Sequence, residues 1–328
     1  MIPIPDLILE TLATSCGTNR AALTFLGGGR EDSDGAAYTF PHDSGERVLK
    51  VMQANLDDPD SLLPMGERLK YVHFLGEQGV RIVYPLPLPD GKLLTLAGSG
   101  EDGFLAYIMP RASGKNPKPE QWTPAFARMH GQVVAQTHRA AQAYPSWQCS
   151  EVNGKQVLGW EQEWRGFYEM CEDPEVKAYW RTLHGRLAAL PQTRQSFGFI
   201  HNDAHVQNLM LDGEPGAGGT LTLLDFDVAN YHWFINDVMV AFQHLLFEIT
   251  GGMERPLTDA APLREWLADF MAGYETENHL DPWWLGQLNL FIAYRRTLLF
   301  TVMQGWLQTQ PETCARWKEM ILTEPAIL

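Results

Sequence analysis

The chain has 328 residues, 45% of them hydrophobic and 20% charged, with 11 Trp, 4 Cys and a formal net charge of −15. That length is too great for one minimal core and suits one large or two unequal domains. The acidic balance repels phosphodiester backbones and so speaks against a nucleic-acid partner, while it favours a cationic small molecule. No window approaches the roughly 20 apolar residues of a membrane span, and the opening "MIPIPDLILE" lacks the basic stretch of a signal peptide, so a cytoplasmic enzyme without a membrane partner is expected. Cys16, Cys149, Cys171 and Cys314 lie far apart with no C-x-x-C pair, which indicates structural thiols.

In chain order, β-prone stretches near residues 23 to 26 and 36 to 40 flank the Gly-rich "LGGGREDSDGAAY", and a third ends in "RVLKVM". Apolar residues at Leu69, Val72 and Leu75 before Gly79 mark a helix. "RIVYPLPLPDGKLLTL" reads as two strands across a Pro-Asp-Gly turn, and "GFLAYIMPRASGK" as a buried strand and a loop. From about residue 119 the texture turns helical, in "PAFARMHGQVVAQTHRAAQAY", in "WEQEWRGFYEMCEDPEVKAYWRTLHGRLAAL" and beyond about residue 235. One β-like interruption falls around residues 198 to 227. The expected class is α+β, with a small antiparallel sheet plus helix over residues 1–112 and a larger, mainly helical lobe over residues 113–328.

The polar cluster "GFIHNDAHVQNLML", residues 198 to 211, puts His201, Asp203, His205 and Asn208 within eight positions between apolar runs. Asp203, Asn208 and Asp225 are the residue types of a phosphoryl-transfer site: one Asp accepts the proton of an attacking hydroxyl, while an Asn carbonyl and a second carboxylate hold Mg²⁺. Taken singly, such residues in loops usually form turns or caps. Their order, with "LLDFD" following a hairpin, is that of a kinase catalytic loop and its metal loop.

"HNDAHVQN" resembles the H-G-D-x-H-x-x-N loop of the aminoglycoside phosphotransferase and choline kinase superfamily, a small-molecule branch of the protein-kinase-like two-lobed fold. "LLDFDVANYHWFINDVMVAF" is similar to that family's second signature. The resemblance implies that Asp203 is the catalytic base, that Asn208 and Asp225 are Mg²⁺ ligands, and that Asp237 braces the catalytic loop. His201 and His205 would support the loop through hydrogen bonds. Asp227 either assists a second metal ion or caps a turn.

In the first lobe the resemblance implies that Lys50 contacts the nucleotide phosphates, with Glu67 as its ion-pair partner in preference to Glu77, which lies nearer the helix end. Gly28, Gly29 and Ser33 would cradle phosphates, and Ile108, Met109 and Arg111 would border the adenine. The expected activity is transfer of the γ-phosphoryl group of ATP, with GTP as the other candidate donor, to a hydroxyl of a small molecule. An aminoglycoside, a choline-like amine and homoserine are all compatible acceptors.

Two other readings share the motifs. A Ser/Thr protein kinase is disfavoured by Asn202, which stands where regulated protein kinases carry an Arg, and by the short span from residue 228 to 237. A nucleotide-binding pseudokinase is disfavoured by the presence of Lys50, Asp203, Asn208 and Asp225. Glu265, Asp269, Glu275, Glu277 and Asp281 alternate with Trp266, Tyr274, Trp283 and Trp284. They form either a cation site or, more commonly, an amphipathic pair of helices with a solvated acidic face. No feature of the sequence sets an oligomeric state.

Overall fold

The structure, a computed structural model, describes residues 4–28, 35–152, 154–252, 254–257, 259–324 and 327. The chain forms two compact units, Met1–Ser113 and Gly114–Leu328. The expected phosphate-cradle residues Gly29 and Ser33 lie outside the described residues.

The first unit comprises helix α1 (Asp6–Ser15), strands β1 (Thr24–Gly28), β2 (Ala36–Phe40) and β3 (Arg47–Ala54), helix α2 (Leu63–Glu77), and strands β4 (Thr95–Ala97) and β5 (Gly103–Pro110). The strands make one five-stranded sheet in the order β1-β2-β3-β5-β4, with every described pairing antiparallel. β5 pairs with β3 from Arg47↔Pro110 to Ala54↔Gly103 and carries six consecutive buried residues. Side chains alternate across a strand, so that run must serve two cores. Phe104, Ala106 and Ile108 join Leu49 and Val51 against Leu9 and Leu12 of α1 and Cys16 at its C-terminal end. Leu105 and Tyr107 pack with Met65 and Leu69 of α2.

The expected pair of strands in residues 81 to 96 is only half present. β4 forms, but residues 82 to 88 make only isolated bridges, among them Leu86↔Ile108, because Pro85, Pro87 and Pro89 remove the backbone donors a ladder requires. The turn itself is made, with Gly91 N–H donating to Leu88 O at 2.8 Å.

The second unit opens with α3 (Pro124–Ala143), the hairpin β6 (Ser150–Val152) and β7 (Lys155–Leu158), α4 (Trp160–Met170) and α5 (Pro174–Ala188). The stretch over residues 160 to 190, expected to be helical, is two helices. Asp173 breaks it by accepting from the backbone N–H groups of Glu175 at 2.9 Å and Val176 at 3.1 Å, with Pro174 as the first helical residue. Four short strands follow, β8 (Phe197–Ile200), β9 (Leu209–Asp212), β10 (Thr220–Leu223) and β11 (Asn230–Trp233), then α6 (Phe234–Thr250), α7 (Ala261–Tyr274), α8 (Leu288–Val302), α9 (Gln304–Leu307) and α10 (Pro311–Thr323). β9 pairs with β10 and β8 with β11, each antiparallel. No described helix is long and apolar enough to cross a membrane.

α3 and α7 cross at glycine on both sides. A Cβ on Gly131 would lie 1.9 Å from Phe270 O, and one on Gly273 would lie 1.9 Å from Arg128 O. This close approach fixes α3 beneath β8 and the loop that follows it.

Candidate active site

The loop leaving β8 is held from below by one carboxylate. Asp237, in the first turn of α6 and fully buried, accepts from the backbone N–H of His201 at 2.9 Å and of Asn202 at 2.7 Å. Its Oδ2 also lies 3.1 Å from His138 Nε2. A relay extends outward from there: Asn278 Nδ2 donates to Tyr274 Oη at 3.1 Å, and Tyr274 Oη lies 2.8 Å from His138 Nδ1. The His138 ring is thus pinned between the Tyr274 hydroxyl and the carboxylate, to which its Nε2–H donates. Burial raises the Asp237 carboxyl, but the His138 hydrogen bond, the charges of His138 and His201 and the His201 amide outweigh it and hold it below its ordinary range. Asp237 thus braces the loop through its backbone.

Asn202 stands where the resembling motif has Gly, and its φ of 68° explains the exchange. That left-handed conformation suits Gly and, among other residues, Asn best. Its side chain is a hub. Nδ2 donates to Val228 O at 3.2 Å and to Glu163 Oε2, and Oδ1 accepts from Asn236 Nδ2 at 2.8 Å. Glu163, reaching in from α4, also accepts from Tyr294 Oη at 2.7 Å.

The two histidines serve the loop. His201 Nε2 donates to Leu224 O at 2.7 Å and its Nδ1 accepts from Asp203 N–H at 3.2 Å, tying the loop to the chain just before Asp225. His205 Nε2 lies 3.2 Å from Asp203 Oδ2.

Asp203 is the one carboxylate in this loop, and its side chain keeps 25% exposure. Oδ2 accepts from Asn208 Nδ2 at 3.2 Å, and Oδ1 accepts from Arg295 Nη2 at 2.6 Å. Burial raises its carboxyl, but the His205 hydrogen bond and the charges of Arg295, His205 and His201 hold it far below the ordinary carboxylate range. It is therefore an anion at any physiological pH. Asn208 Nδ2 also donates to Asp203 O at 2.9 Å, which turns the amide so that Oδ1 is its remaining acceptor.

Asp225 follows β10 with φ 62°, the second non-Gly residue of this region in the left-handed conformation, and Asp227 follows it in the same turn. Strain of this kind in a polar loop is retained where the surroundings over-determine it, and it concentrates at functional sites. Among the described residues no three His, Cys, Asp or Glu side chains converge as a ready-made metal cage. The donor set of Asn208 Oδ1 and the Asp225 carboxylate instead matches the way Mg²⁺ binds alongside substrate phosphates, through one or two protein oxygens.

In the first unit, Lys50 pairs with Ala37 and Tyr107 across the sheet. By strand alternation it lies on the same face as Met52, which packs with α2 residues. Glu67 on α2 is 14% exposed and accepts from Lys70 Nζ at 2.6 Å, whereas Glu77 is 64% exposed beside His73. Gly28 has φ 80°, and a Cβ there would meet Gly35 O at 2.2 Å, so only glycine fits at this position. Ile108 is fully buried and its carbonyl accepts from Leu86 N–H at 2.8 Å, while Arg111 N–H donates to Glu46 O at 3.1 Å and its guanidinium pairs with Glu46. Met109 pairs with Val48 and packs, partly buried, against the cluster that contains Met65, Leu69 and Tyr107.

Arg295 and Glu163 were not anticipated from the sequence. "YRRTLLF", two arginines inside an apolar helix, was the available signal for Arg295. The acidic residues near the C-terminal aromatics are engaged within the fold. Asp269 pairs with Arg128, Glu277 with Arg139 at 2.6 Å and Glu275 with His279 at 2.7 Å, while Asp281 caps Trp283 N–H at 2.9 Å.

The model of the phosphotransferase enzyme family matches residues 23–283. Amicoumacin kinase of Bacillus subtilis (strain 168) is 26% identical over 302 residues, covering 91% of this chain and 84% of that protein. A homoserine kinase of Rhizobium meliloti (strain 1021) is 26% identical over 298 residues, 88% and 82% of the two chains. Among solved structures, an amicoumacin kinase in complex with AMP-PNP, Ca²⁺ and Ami superposes with a TM-score of 0.77 at 21% identity over 94% of this chain and 90% of that one. A microcompartment-associated aminopropanol kinase gives 0.66 at 18% identity over 92% and 93%. With its two-lobed kinase-like architecture and its Asp203 loop braced by Asp237, the chain belongs to the phosphotransferase enzyme family and is a small-molecule kinase.

Proposed function

We propose that the protein transfers the γ-phosphoryl group of ATP, in the presence of Mg²⁺, to a hydroxyl of a small amine-bearing alcohol. The observation that carries this reading is the Asp203 carboxylate, held anionic, mostly buried with a quarter of its surface open, and hydrogen-bonded to Asn208. Phosphoryl transfer asks little covalent chemistry of a protein and relies on alignment and charge neutralisation. Asp203 orients the acceptor hydroxyl and receives its proton as the new P–O bond forms. A carboxylate this acidic is a weak base, which suits a loose transition state in which the proton leaves late. Asn208 and Asp225 would hold Mg²⁺, which supplies neutralising charge on the phosphate oxygens. Lys50, oriented by Glu67, would contact the phosphates, and Gly28 would let backbone approach them. Asp227 would support the Asp225 turn, and Ile108, Met109 and Arg111 would border the base of the nucleotide.

For the acceptor, the relatives named for homoserine and aminopropanol both point to a compound with an amine and a hydroxyl on a short carbon frame. The net charge of −15 favours the cationic form of such a compound.

The test is thermal unfolding with Mg²⁺ and ATP, Mg²⁺ and GTP, or neither, followed by ADP release with a panel of amino alcohols and aminoglycosides. A nucleotide- and Mg²⁺-dependent rise in Tm that disappears in Asp225→Ala is expected, because a ligand that binds only the folded state stabilises it. Turnover in Asp203→Asn should fall at least a hundredfold with KM for ATP little changed. No rise in Tm at millimolar nucleotide would refute the assignment.

A further inference from the structure

Asp203 is oriented by more than its own loop. Its Oδ1 accepts from Arg295 Nη2 at 2.6 Å, across 92 positions of sequence, and Arg295 is only 11% exposed. Arg295 sits on α8, and its guanidinium is itself fixed, because Nε donates to Gln243 Oε1 on α6 at 2.7 Å. A guanidinium donates from a rigid planar fork, so fixing Nε fixes the direction in which Nη2 points. The other carboxylate oxygen is shared by His205 and Asn208, both at 3.2 Å. The carboxylate plane is therefore set from two sides, by loop residues on Oδ2 and by the two helices on Oδ1. Each carboxylate oxygen has two lone pairs, so a single contact from Nη2 leaves Oδ1 able to accept a hydroxyl as well.

We infer that Arg295, held by Gln243, is a positioning residue that sets the orientation of the Asp203 carboxylate as it receives the acceptor hydroxyl. This rests on the reading of Asp203 as the catalytic base. In the step it serves, the acceptor O–H bond breaks and its proton passes to Asp203. The acceptor oxygen bonds to the γ-phosphorus, and the bond from that phosphorus to the departing nucleoside diphosphate breaks with its electron pair. Arg295 acts through its contact with Asp203. It limits the angles Asp203 adopts, and a misplacement of about 1 Å at such a group costs on the order of a hundredfold in rate.

The experiment is ADP release by the full chain with Mg²⁺ and ATP, with water as the only acceptor and with L-homoserine or 1-amino-2-propanol added. It compares the parent with Asp203→Asn, Arg295→Ala, Arg295→Lys and Gln243→Leu. Arg295→Ala is expected to lower kcat about a hundredfold with KM for ATP within twofold. Arg295→Lys should recover part of the loss, since a lysine keeps the charge but cannot keep the fork. Gln243→Leu, which loosens the fork without removing it, should fall between. Millimolar guanidinium should restore activity to Arg295→Ala and leave Asp203→Asn unchanged, a rescue that a purely structural ion pair would not give. If Asp203→Asn is inactive but Arg295→Ala stays within threefold of the parent, or exceeds it, the inference fails and the base assignment stands. If the parent releases no ADP, or Asp203→Asn matches it, the base assignment fails and takes the inference with it. Should Arg295→Ala not fold, unchanged kcat in both Arg295→Lys and Gln243→Leu overturns the inference equally.

Discussion

Replacing Asp237 by Ala should release the catalytic loop. The perturbation removes the acceptor of two backbone donors, His201 N–H at 2.9 Å and Asn202 N–H at 2.7 Å, and of His138 Nε2 at 3.1 Å. Asp237 and His201 are fully buried, so water does not replace what is lost. Each orphaned buried donor costs about 1–3 kcal/mol, which puts the local loss at roughly 4 kcal/mol for the three, a large part of the 5–15 kcal/mol typical of a whole domain. Asp237→Asn is the sharper probe. It keeps the volume, but its NH₂ group must face either Asn202 N–H or the pair His201 N–H and His138, at about 2–3 kcal/mol. The assay is hydrogen exchange by mass spectrometry on a peptide covering residues 197 to 211. A loss of about 3 kcal/mol in opening free energy corresponds to exchange about a hundredfold faster, at 1.4 kcal/mol per factor of ten. Exchange within threefold of the parent in both variants would refute the view that Asp237 holds this loop.

Three further outcomes follow from burial. His130 and His232 are fully buried, and burial pushes them down to about 3 and about 4, so each stays neutral in the folded chain. Both folded values lie below the unfolded value of about 6.5. The unfolded chain therefore takes up protons first, and stability falls as pH drops from about 6.5 toward those values. At pH 5 the two contribute a loss of roughly 4 kcal/mol relative to pH 7, and an equal urea midpoint for the second unit at both pH values would contradict it. Gly131→Ala or Gly273→Ala should destabilise by about 2–3 kcal/mol, because each Cβ would enter a backbone carbonyl 1.9 Å away; an unchanged Tm would refute the α3–α7 contact. Under native labelling with a thiol reagent, Cys149 and Cys314 should react before Cys16, which is buried with its thiol pushed up to about 12 by burial and the charge of Asp90. Labelling of Cys16 at the rate of Cys314 would contradict that.

Where periodicity and turn chemistry dominate locally, the sequence was a good guide. α2 stops at Gln78 just before Gly79, which adopts φ 74°, and β1, β2 and β3 fall where β-prone runs lie beside turn residues. Local reading failed where a single residue changes the outcome. Asp173 and Pro174 cut one amphipathic run into two helices, and three prolines stopped a strand that composition alone suggested. β11 was missed because "NYHW" looks half polar, yet all four residues are buried, with Asn230 donating to Glu163 at 3.3 Å and accepting from Tyr231 N–H at 2.9 Å.

The site divides the same way. Asp203, Asn208 and Asp225 are near one another in sequence and were legible as a motif. The groups that orient them come from 92 and 39 positions away, Arg295 onto Asp203 and Glu163 onto Asn202, and no local pattern encodes a partner at that distance.

The position of Asn202 bears on how the loop is kept in place. In regulated protein kinases an Arg at this point awaits a phosphate on a long mobile segment. Here Asn202 is already bonded to Val228 O, Asn236, Glu163 and, through its backbone, Asp237. Only six residues separate Asp227 from α6, and four of them form β11, antiparallel to β8. The Asn202 side chain is thus engaged by groups already in the fold and is not held in reserve for a phosphate. Ordering of this loop is therefore built in at folding, which suits an enzyme whose rate follows the concentration of its small-molecule acceptor rather than a covalent signal.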